Sequence, residues 1–462
     1  MAVKRKQIVE CDVIDVAFGG KGLAKIDGFA VFIDQTVTGD RVAARIVRKK
    51  RNYAEAVVVE RVSASPHRVD PPCPYSGTCG GCKWQFIDYP YQVELKRRHV
   101  ADCLAHIAMI PDATIHPALP AEPVFAYRNK MEFSCSDRRW LMPQELGGCA
   151  DIDFALGLHV PGTFHKVLDI DACLLQPDLG NRLLGAVRRY LRASEQPVYG
   201  LRSHEGFWRF LMLRHSVAFD RWMVNIVTAS EDLRAVAPLA AQITADYPDV
   251  VSVVNNITAR PSGVAIGERE LKLAGDATLK ERIGPLTFAI SANSFFQTNT
   301  RGAETLYATV ARFAALTGRE AVLDLYCGTG TIAIWLAAQV REVIGLEMVE
   351  SAVADARRNC RLNGIDNCRF VLGDVRETLP AIDAVPDVLI VDPPRAGMHK
   401  DVVRQVIDLG AERIVYVSCN PATMARDLLA LKEYYTLAEV QPVDMFPHTF
   451  HIESVAKLTR RR

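Results

Sequence analysis

Net charge is nearly absent from this chain: 55 lysines and arginines stand against 54 aspartates and glutamates, so overall charge advertises no polyanionic partner. No apolar run reaches the roughly 20 residues that a bilayer span needs. The opening Met1-Ala-Val-Lys-Arg-Lys lacks the apolar core of a secretion signal, so a cytoplasmic location is expected. Internal repeats and low-complexity tracts are also missing. With 49% hydrophobic and 24% charged residues, the composition excludes a disordered chain.

What is present points to several folded units. At 462 residues the chain exceeds one ordinary core and predicts two or three domains. Twelve cysteines in a reducing compartment argue against a disulfide framework, leaving metal ligands, a nucleophile and small core residues as their uses. Four basic runs can pair with phosphates: Lys4-Arg5-Lys6, Arg48-Lys49-Lys50-Arg51, Lys96-Arg97-Arg98 and Arg460-Arg461-Arg462. Solvated surface is the plainer reading of each, and charge alone leaves the partner open.

Residues 1–62 read as all-β, with alternating stretches at Phe29–Ile33, Arg41–Val47 and Ala54–Glu60 separated by glycine turns. Short strands with interspersed basic residues suit a small barrel of the oligonucleotide-binding type. Pro66 and Pro71-Pro72 mark a linker into a central mixed α+β region, residues 63–285. It begins with a cysteine-bearing loop and a helix expected over about 91–110, which is a candidate to pack on the last domain. Residues 286–462 then alternate strand and helix. Apolar strands end at Tyr326, Glu347, Asp374, Asp392 and Cys419, the pattern of a doubly wound, Rossmann-like α/β sheet that binds ligands at its carboxyl edge.

Asp324-Leu-Tyr-Cys-Gly-Thr-Gly330 sets Gly328 and Gly330 at a strand-to-helix turn, where a ligand can approach the backbone closely. Glu347, at the tip of the next strand, is placed to accept from both hydroxyls of a ribose. A dinucleotide enzyme would show a third glycine where Ala333 stands, and the acidic Asp324 suits a cationic cofactor better than a pyrophosphate. Cys419, between a buried strand and a helix beginning near Ala422, is a candidate nucleophile, and the helix dipole is expected to favour its thiolate. One chemistry that needs such a nucleophile is methylation at carbon 5 of a uracil ring. A thiolate adding at carbon 6 makes carbon 5 an enolate able to accept a methyl group, after which a base must remove the carbon 5 proton. Phe446-Pro-His-Thr-Phe-His-Ile-Glu453 offers Glu453, His448 and His451 as that base, and spacing does not choose among them.

Together, Ser294-Phe-Phe-Gln-Thr-Asn299, Asp324–Gly330, Asp392-Pro-Pro-Arg395, Ser418-Cys-Asn-Pro421 and Phe446-Pro-His-Thr…Ile452-Glu453 resemble the RNA uridine-5 methyltransferase family. The resemblance implies S-adenosylmethionine as cofactor, Cys419 as nucleophile and Glu453 as base. It implies Gln297, Tyr326, Glu347 and Asp392 around cofactor and target base, with Asp374 at an adenine-contacting position. Relatives often carry Asn after the second glycine, where this chain has Thr331. A reacting uridine must leave its stack, and Phe295-Phe296 offers aromatic faces for it, core packing being the alternative for either ring.

Cys73-x5-Cys79-x2-Cys82 has metal-ligand spacing in a loop rich in glycine and proline. Cys103, Cys135, Cys149 and Cys173 are the nearby candidates for a fourth ligand, and both zinc and an iron–sulfur cluster accept four thiolates. The same family resemblance implies Cys73, Cys79, Cys82 and Cys173 around a four-iron, four-sulfur (4Fe–4S) cluster, and a TRAM barrel at residues 1–62. It also favours 23S ribosomal RNA as partner, with transfer RNA the alternative and a monomer as the default state. A noncatalytic RNA-binding protein or chaperone would need neither Cys419 nor Glu453, and an amino-methyltransferase using Asp392-Pro-Pro-Arg395 has no use for the thiol.

Overall fold

The computed structural model describes residues 3–148, 151–261, 263–382 and 385–461. Cys149 and Arg462 therefore lie outside the described residues.

The N-terminal strands, from Ile8–Asp12 to Tyr53–Ser63, form one six-stranded sheet. Strict alternation drives it: along Arg41–Lys49, Val42, Ala44 and Ile46 point inward while Arg41 and Arg45 face solvent. Val9 from an edge strand meets Ala24, Val31 and Ile33 in the same core, so the sheet curls on itself. The central region is a seven-stranded mixed sheet spanning Lys130–Ser136 to Arg269–Gly275. Helices Asp178–Ala193 and Leu233–Asp246 set Leu183, Leu184, Val187, Leu239 and Ile243 against its Leu211, Leu213 and Val224. A hairpin, Leu279–Ile283 with Leu286–Ile290, follows. Its Ile283, Phe288 and Ile290 pack into the C-terminal core while Leu279 packs with Met223 and Val254 of the central sheet, so the expected division at 285/286 falls in the turn of a hairpin that bridges the two regions.

The C-terminal sheet has seven strands, numbered here in chain order: β1 (Ala321–Leu325), β2 (Glu342–Glu347), β3 (Cys368–Leu372), β4 (Val388–Val391), β5 (Arg413–Ser418), β6 (Tyr435–Val443) and β7 (Glu453–Arg460). Their order is β3-β2-β1-β4-β5-β7-β6, with β1 to β5 parallel and β7 antiparallel to both neighbours. Every residue of β4 is buried, as expected where both faces are covered. The parallel strands deliver Glu347, Asp392 and Cys419 to one edge of the sheet, and β7 begins there with Glu453.

Helix α1 (Tyr89–His106) opens with Pro90 in its first turn, and the Asp88 side chain accepts from the Tyr91 amide. It stops four residues short of the expected Ile110, because Met109 takes a positive φ of 58° and Pro111 follows. Val100, Cys103 and Leu104 pack against Leu389, Tyr416 and Leu428, so α1 lies on the C-terminal sheet although its sequence precedes the central one. The run Lys96-Arg97-Arg98 is not a phosphate-binding face. Lys96 is fully buried on Asp444, Arg97 pairs with Glu94 and Arg98 with Asp15. Lys4-Arg5-Lys6 and Arg48-Lys49-Lys50-Arg51 are solvent-exposed. No helix among the described residues is long and apolar enough to cross a membrane.

Candidate active site and cysteine-lined cavity

The turn after β1 is built on left-handed backbone. Tyr326, Gly328 and Gly330 have φ of 63°, 55° and 73°. At Gly330 a Cβ would meet Phe370 at 2.8 Å and Ala356 at 3.0 Å, so both conformation and space demand glycine. The Gly328 amide donates to Glu347 Oε2 at 3.0 Å, and the Val349 amide to Oε1 at 2.8 Å. These bonds fix the carboxylate at the strand tip while each oxygen keeps a lone pair for a further donor. Thr331 begins the next helix and accepts from Tyr307 Oη at 2.9 Å, an internal bond that gives this departure from the family pattern a structural use. Asp374 caps a short helix and chelates Arg376, whose guanidinium holds the carboxyl down at about 2.

Gln297 is half-buried on a loop clamped from the central domain. Asn129 Nδ2 donates to Gln297 O at 2.9 Å, and the buried Arg214 guanidinium donates to Ala292 O at 3.3 Å and to Ser294 O. The loop separates the two phenylalanines. Phe296 is 3% exposed in the core, whereas Phe295 is 68% exposed, its carbonyl accepting from Thr329 of the glycine turn at 3.3 Å. Asn129 and Arg214 lie far in sequence from any motif, and only the fold brings them to this loop.

The ends of β4, β5 and β7 bring Asp392, Arg395 and Glu453 to bear on Cys419; Glu453 is buried, Asp392 and Cys419 are half-buried and Arg395 is exposed. Asn420 caps the helix Pro421–Leu431 through the Ala422 amide, and its Nδ2 donates to Arg395 O at 3.2 Å. Thr423 Oγ1 donates to the same carbonyl at 3.3 Å, so the Asp-Pro-Pro-Arg and Ser-Cys-Asn-Pro loops are tied together. Burial pushes the Cys419 thiol up to about 11, with Glu453 and Asp392 adding to the rise and Arg395 opposing it. The helix start expected to favour thiolate thus stands in an environment that favours the thiol: loss of water and two nearby acids raise it, and one guanidinium opposes them. Burial likewise raises Glu453 well above the usual carboxylate range, Asp392 adding to the effect, and pushes Asp392 up to about 7. Asp324 is buried beside Asp392 and Glu347 and is raised in the same direction.

Of the three bases offered by sequence, Glu453 is the one in this group. His448 faces α1 and stacks on Phe125 at 4.2 Å. His451 stands nearer, within the influence of Arg395, and burial pushes both imidazoles down to about 4.

Cys73, Cys79, Cys82 and Cys173 line one cavity of about 140 Å³, with Arg128 at its wall. Burial raises Cys79 to about 11 and Cys82 to about 12, each increased further by the other thiols. Cys103 is in α1 and Cys135 is buried within the central sheet, neither on this cavity. Among the described residues no three His, Cys, Asp or Glu side chains converge on the position of a single ion.

The tRNA (Uracil-5-)-methyltransferase family profile matches residues 275–461, and the TRAM domain profile matches residues 2–59. A protein of Chlorobaculum tepidum named as an RNA methyltransferase is 42% identical, the match covering 99% of this chain and 97% of that one. One of Porphyromonas gingivalis, likewise named, is 40% identical over 97% of this chain and 99% of its own. Among solved structures, the Pyrococcus abyssi tRNA (uracil-54, C5)-methyltransferase in complex with S-adenosyl-L-homocysteine superimposes with a TM-score of 0.77 at 29% identity. That alignment covers 97% of this chain and 99% of the other. The chain belongs to the RNA methyltransferases, as a uracil-C5 enzyme with an N-terminal TRAM domain.

Proposed function

We propose that the protein methylates carbon 5 of a uridine in RNA through a covalent bond between Cys419 and carbon 6. The observation that carries this reading is the placement of Cys419 and the buried Glu453 at the ends of paired strands, Ser418 standing opposite Ser454, with the thiol in the electrostatic field of Glu453. Cys419 Sγ, after releasing its proton to solvent, adds as thiolate to carbon 6 of a flipped-out uracil, and the electrons move into the ring as an enolate. S-adenosylmethionine, when bound, supplies an electrophilic methyl group to carbon 5. Glu453 then takes the proton from carbon 5, and the ring electrons expel the thiolate. A carboxylate whose affinity for protons is raised by burial is suited to that removal near neutral pH. With its exposed ring beside the glycine turn, Phe295 serves as a stacking face for RNA, while Phe296 is core.

The donor set suits the cofactor. Glu347 would hold the ribose, Asp374 the adenine edge, and Tyr326, Gly328, Gly330, Thr331, Gln297 and Asp392 would surround the remainder. Asp324, buried among acids with neither oxygen closely hydrogen-bonded, suits a cationic sulfonium rather than a phosphate. Cys73, Cys79, Cys82 and Cys173 would hold a 4Fe–4S cluster. Four thiols ringing a cavity match one ligand per iron, and their high proton affinity when buried calls for metal to keep them as thiolates. Anaerobic preparations should contain iron and sulfide; a colourless zinc protein would overturn the assignment.

The preferred substrate is 23S ribosomal RNA, because barrel and cysteine cavity occur together as in that branch of the family. The solved relative named for transfer RNA supports the second reading. We read the enzyme as a cytoplasmic monomer. RNA carrying 5-fluorouridine tests the chemistry: with no proton to remove, a protein–RNA adduct should accumulate and map to Cys419. Equal adduct in wild type and Cys419→Ala would overturn it. Mapping methylated uridines in both RNA classes from a deletion strain decides the target.

A further inference from the structure

The segment presenting Glu453 is held by one buried polar face of α1. Tyr89, Gln92 and Lys96 recur at helical spacing and all reach the connection between β6 and β7. Lys96 Nζ donates to Asp444 Oδ1 at 2.6 Å and to Phe446 O at 3.0 Å. Asp444 Oδ1 also accepts from the Phe446 amide at 2.9 Å, and Tyr89 Oη donates to Oδ2 at 3.0 Å. Gln92 Oε1 accepts from the His448 amide at 2.8 Å, while its Nε2 donates to Trp84 O and Ile87 O. His448 sits in the left-handed region with φ of 65°. Its carbonyl accepts from the Lys83 and Trp84 amides, each at 2.9 Å, directly after Cys82. Asp444 follows Val443, the residue registered opposite Glu453 in the β6–β7 pair.

Lys96 and Asp444 are both fully buried. An apolar pair would fill the same space at no desolvation cost, so a buried ion pair is a weak source of stability but a strong restraint on geometry. The restrained segment ends at Glu453, and its anchors come from α1 and from the loop that carries the cysteine ligands.

We propose that Lys96, assisted by Gln92, is a positioning residue for Glu453, so that removing its ion pair slows proton removal from carbon 5 while leaving attack by Cys419 intact. The inference rests on the covalent reading above. Proton removal is the sensitive step because a base displaced by a fraction of an ångström loses alignment with a C–H bond, whereas Cys419 is fixed separately by the Asn420 and Thr423 bonds.

The test uses the full chain with Lys96→Met/Asp444→Asn, which removes both charges together, and separately Gln92→Leu, which leaves the ion pair in place. Turnover on uridine RNA should fall about tenfold or more in the double variant, and by less in Gln92→Leu. Adduct formation with 5-fluorouridine RNA should keep close to the wild-type rate. A denaturant-resistant protein–RNA complex should accumulate on ordinary uridine RNA, retaining the new methyl group. If turnover and adduct rates fall together in both variants, or turnover is unchanged in both, the positioning role is refuted. If wild type itself forms no adduct with 5-fluorouridine RNA, the covalent reading fails instead.

Discussion

Alkylation of Cys419 in the cofactor-free protein should show an alkaline midpoint. The site raises this thiol from an ordinary 9.0 to about 11, through burial first and the Glu453 and Asp392 carboxylates next. At pH 7.5 an ordinary thiol is about 3% thiolate, whereas one at about 11 is about 0.03%, a hundredfold smaller reactive fraction. Iodoacetamide labelling, followed by mass spectrometry of the Cys419 peptide, should therefore rise about tenfold per pH unit from 7 to 10 without levelling. Limited access scales the whole curve but does not move its midpoint, so the shape reports the ionisation alone. Glu453→Gln removes one of the carboxyl groups that raise the thiol and should move the midpoint down. Arg395→Gln removes the opposing cation and should move it up. A wild-type curve that levels by pH 8 would show a thiolate poised by the helix start and refute the reasoning.

Asp392 carries a stability prediction. Its carboxyl, at about 7 when folded against an ordinary 3.8, holds a proton that the unfolded chain releases. The cofactor-free protein should therefore lose stability as pH rises from about 4 to 7, by roughly 4 kcal/mol from this group; Asp392→Asn should flatten the thermal-unfolding profile across that window. Gly330→Ala should cost about 1–2 kcal/mol for the left-handed backbone, with more from the Phe370 contact, and should weaken binding of S-adenosyl-L-homocysteine in calorimetry. The two phenylalanines should separate cleanly. Phe296→Ala should lower unfolding free energy by about 3–5 kcal/mol, while Phe295→Ala should change it by under about 0.5 and instead weaken RNA binding in a filter assay. Cys82→Ser should abolish the iron content of anaerobic preparations and lower their melting temperature.

The C-terminal sheet was legible because its strands are continuous apolar runs that each run into a polar residue, and all five parallel ones end within two residues of the expected positions. The glycine turn was legible for a local reason: Gly328 and Gly330 need positive φ, and no distant contact is required to see it. Lys96 was misread because it follows a surface-like pattern beside Arg97 and Arg98, and the partner that buries it lies 348 residues away. Phe295 and Phe296 could not be ranked by type, since only the clamp from Asn129 and Arg214 decides which ring turns outward. The sign of the Cys419 shift was likewise hidden. The helix start that favours thiolate is local, but the carboxylates that oppose it come from β4 and β7.

Product analysis tests the central claim most directly. Purified protein is incubated with RNA and S-adenosylmethionine labelled in its methyl group, and the RNA is digested to nucleosides. The label should appear in 5-methyluridine and vanish with Cys419→Ala. Label in an N-methylated or ribose-methylated nucleoside, or undiminished 5-methyluridine from Cys419→Ala, would contradict the account.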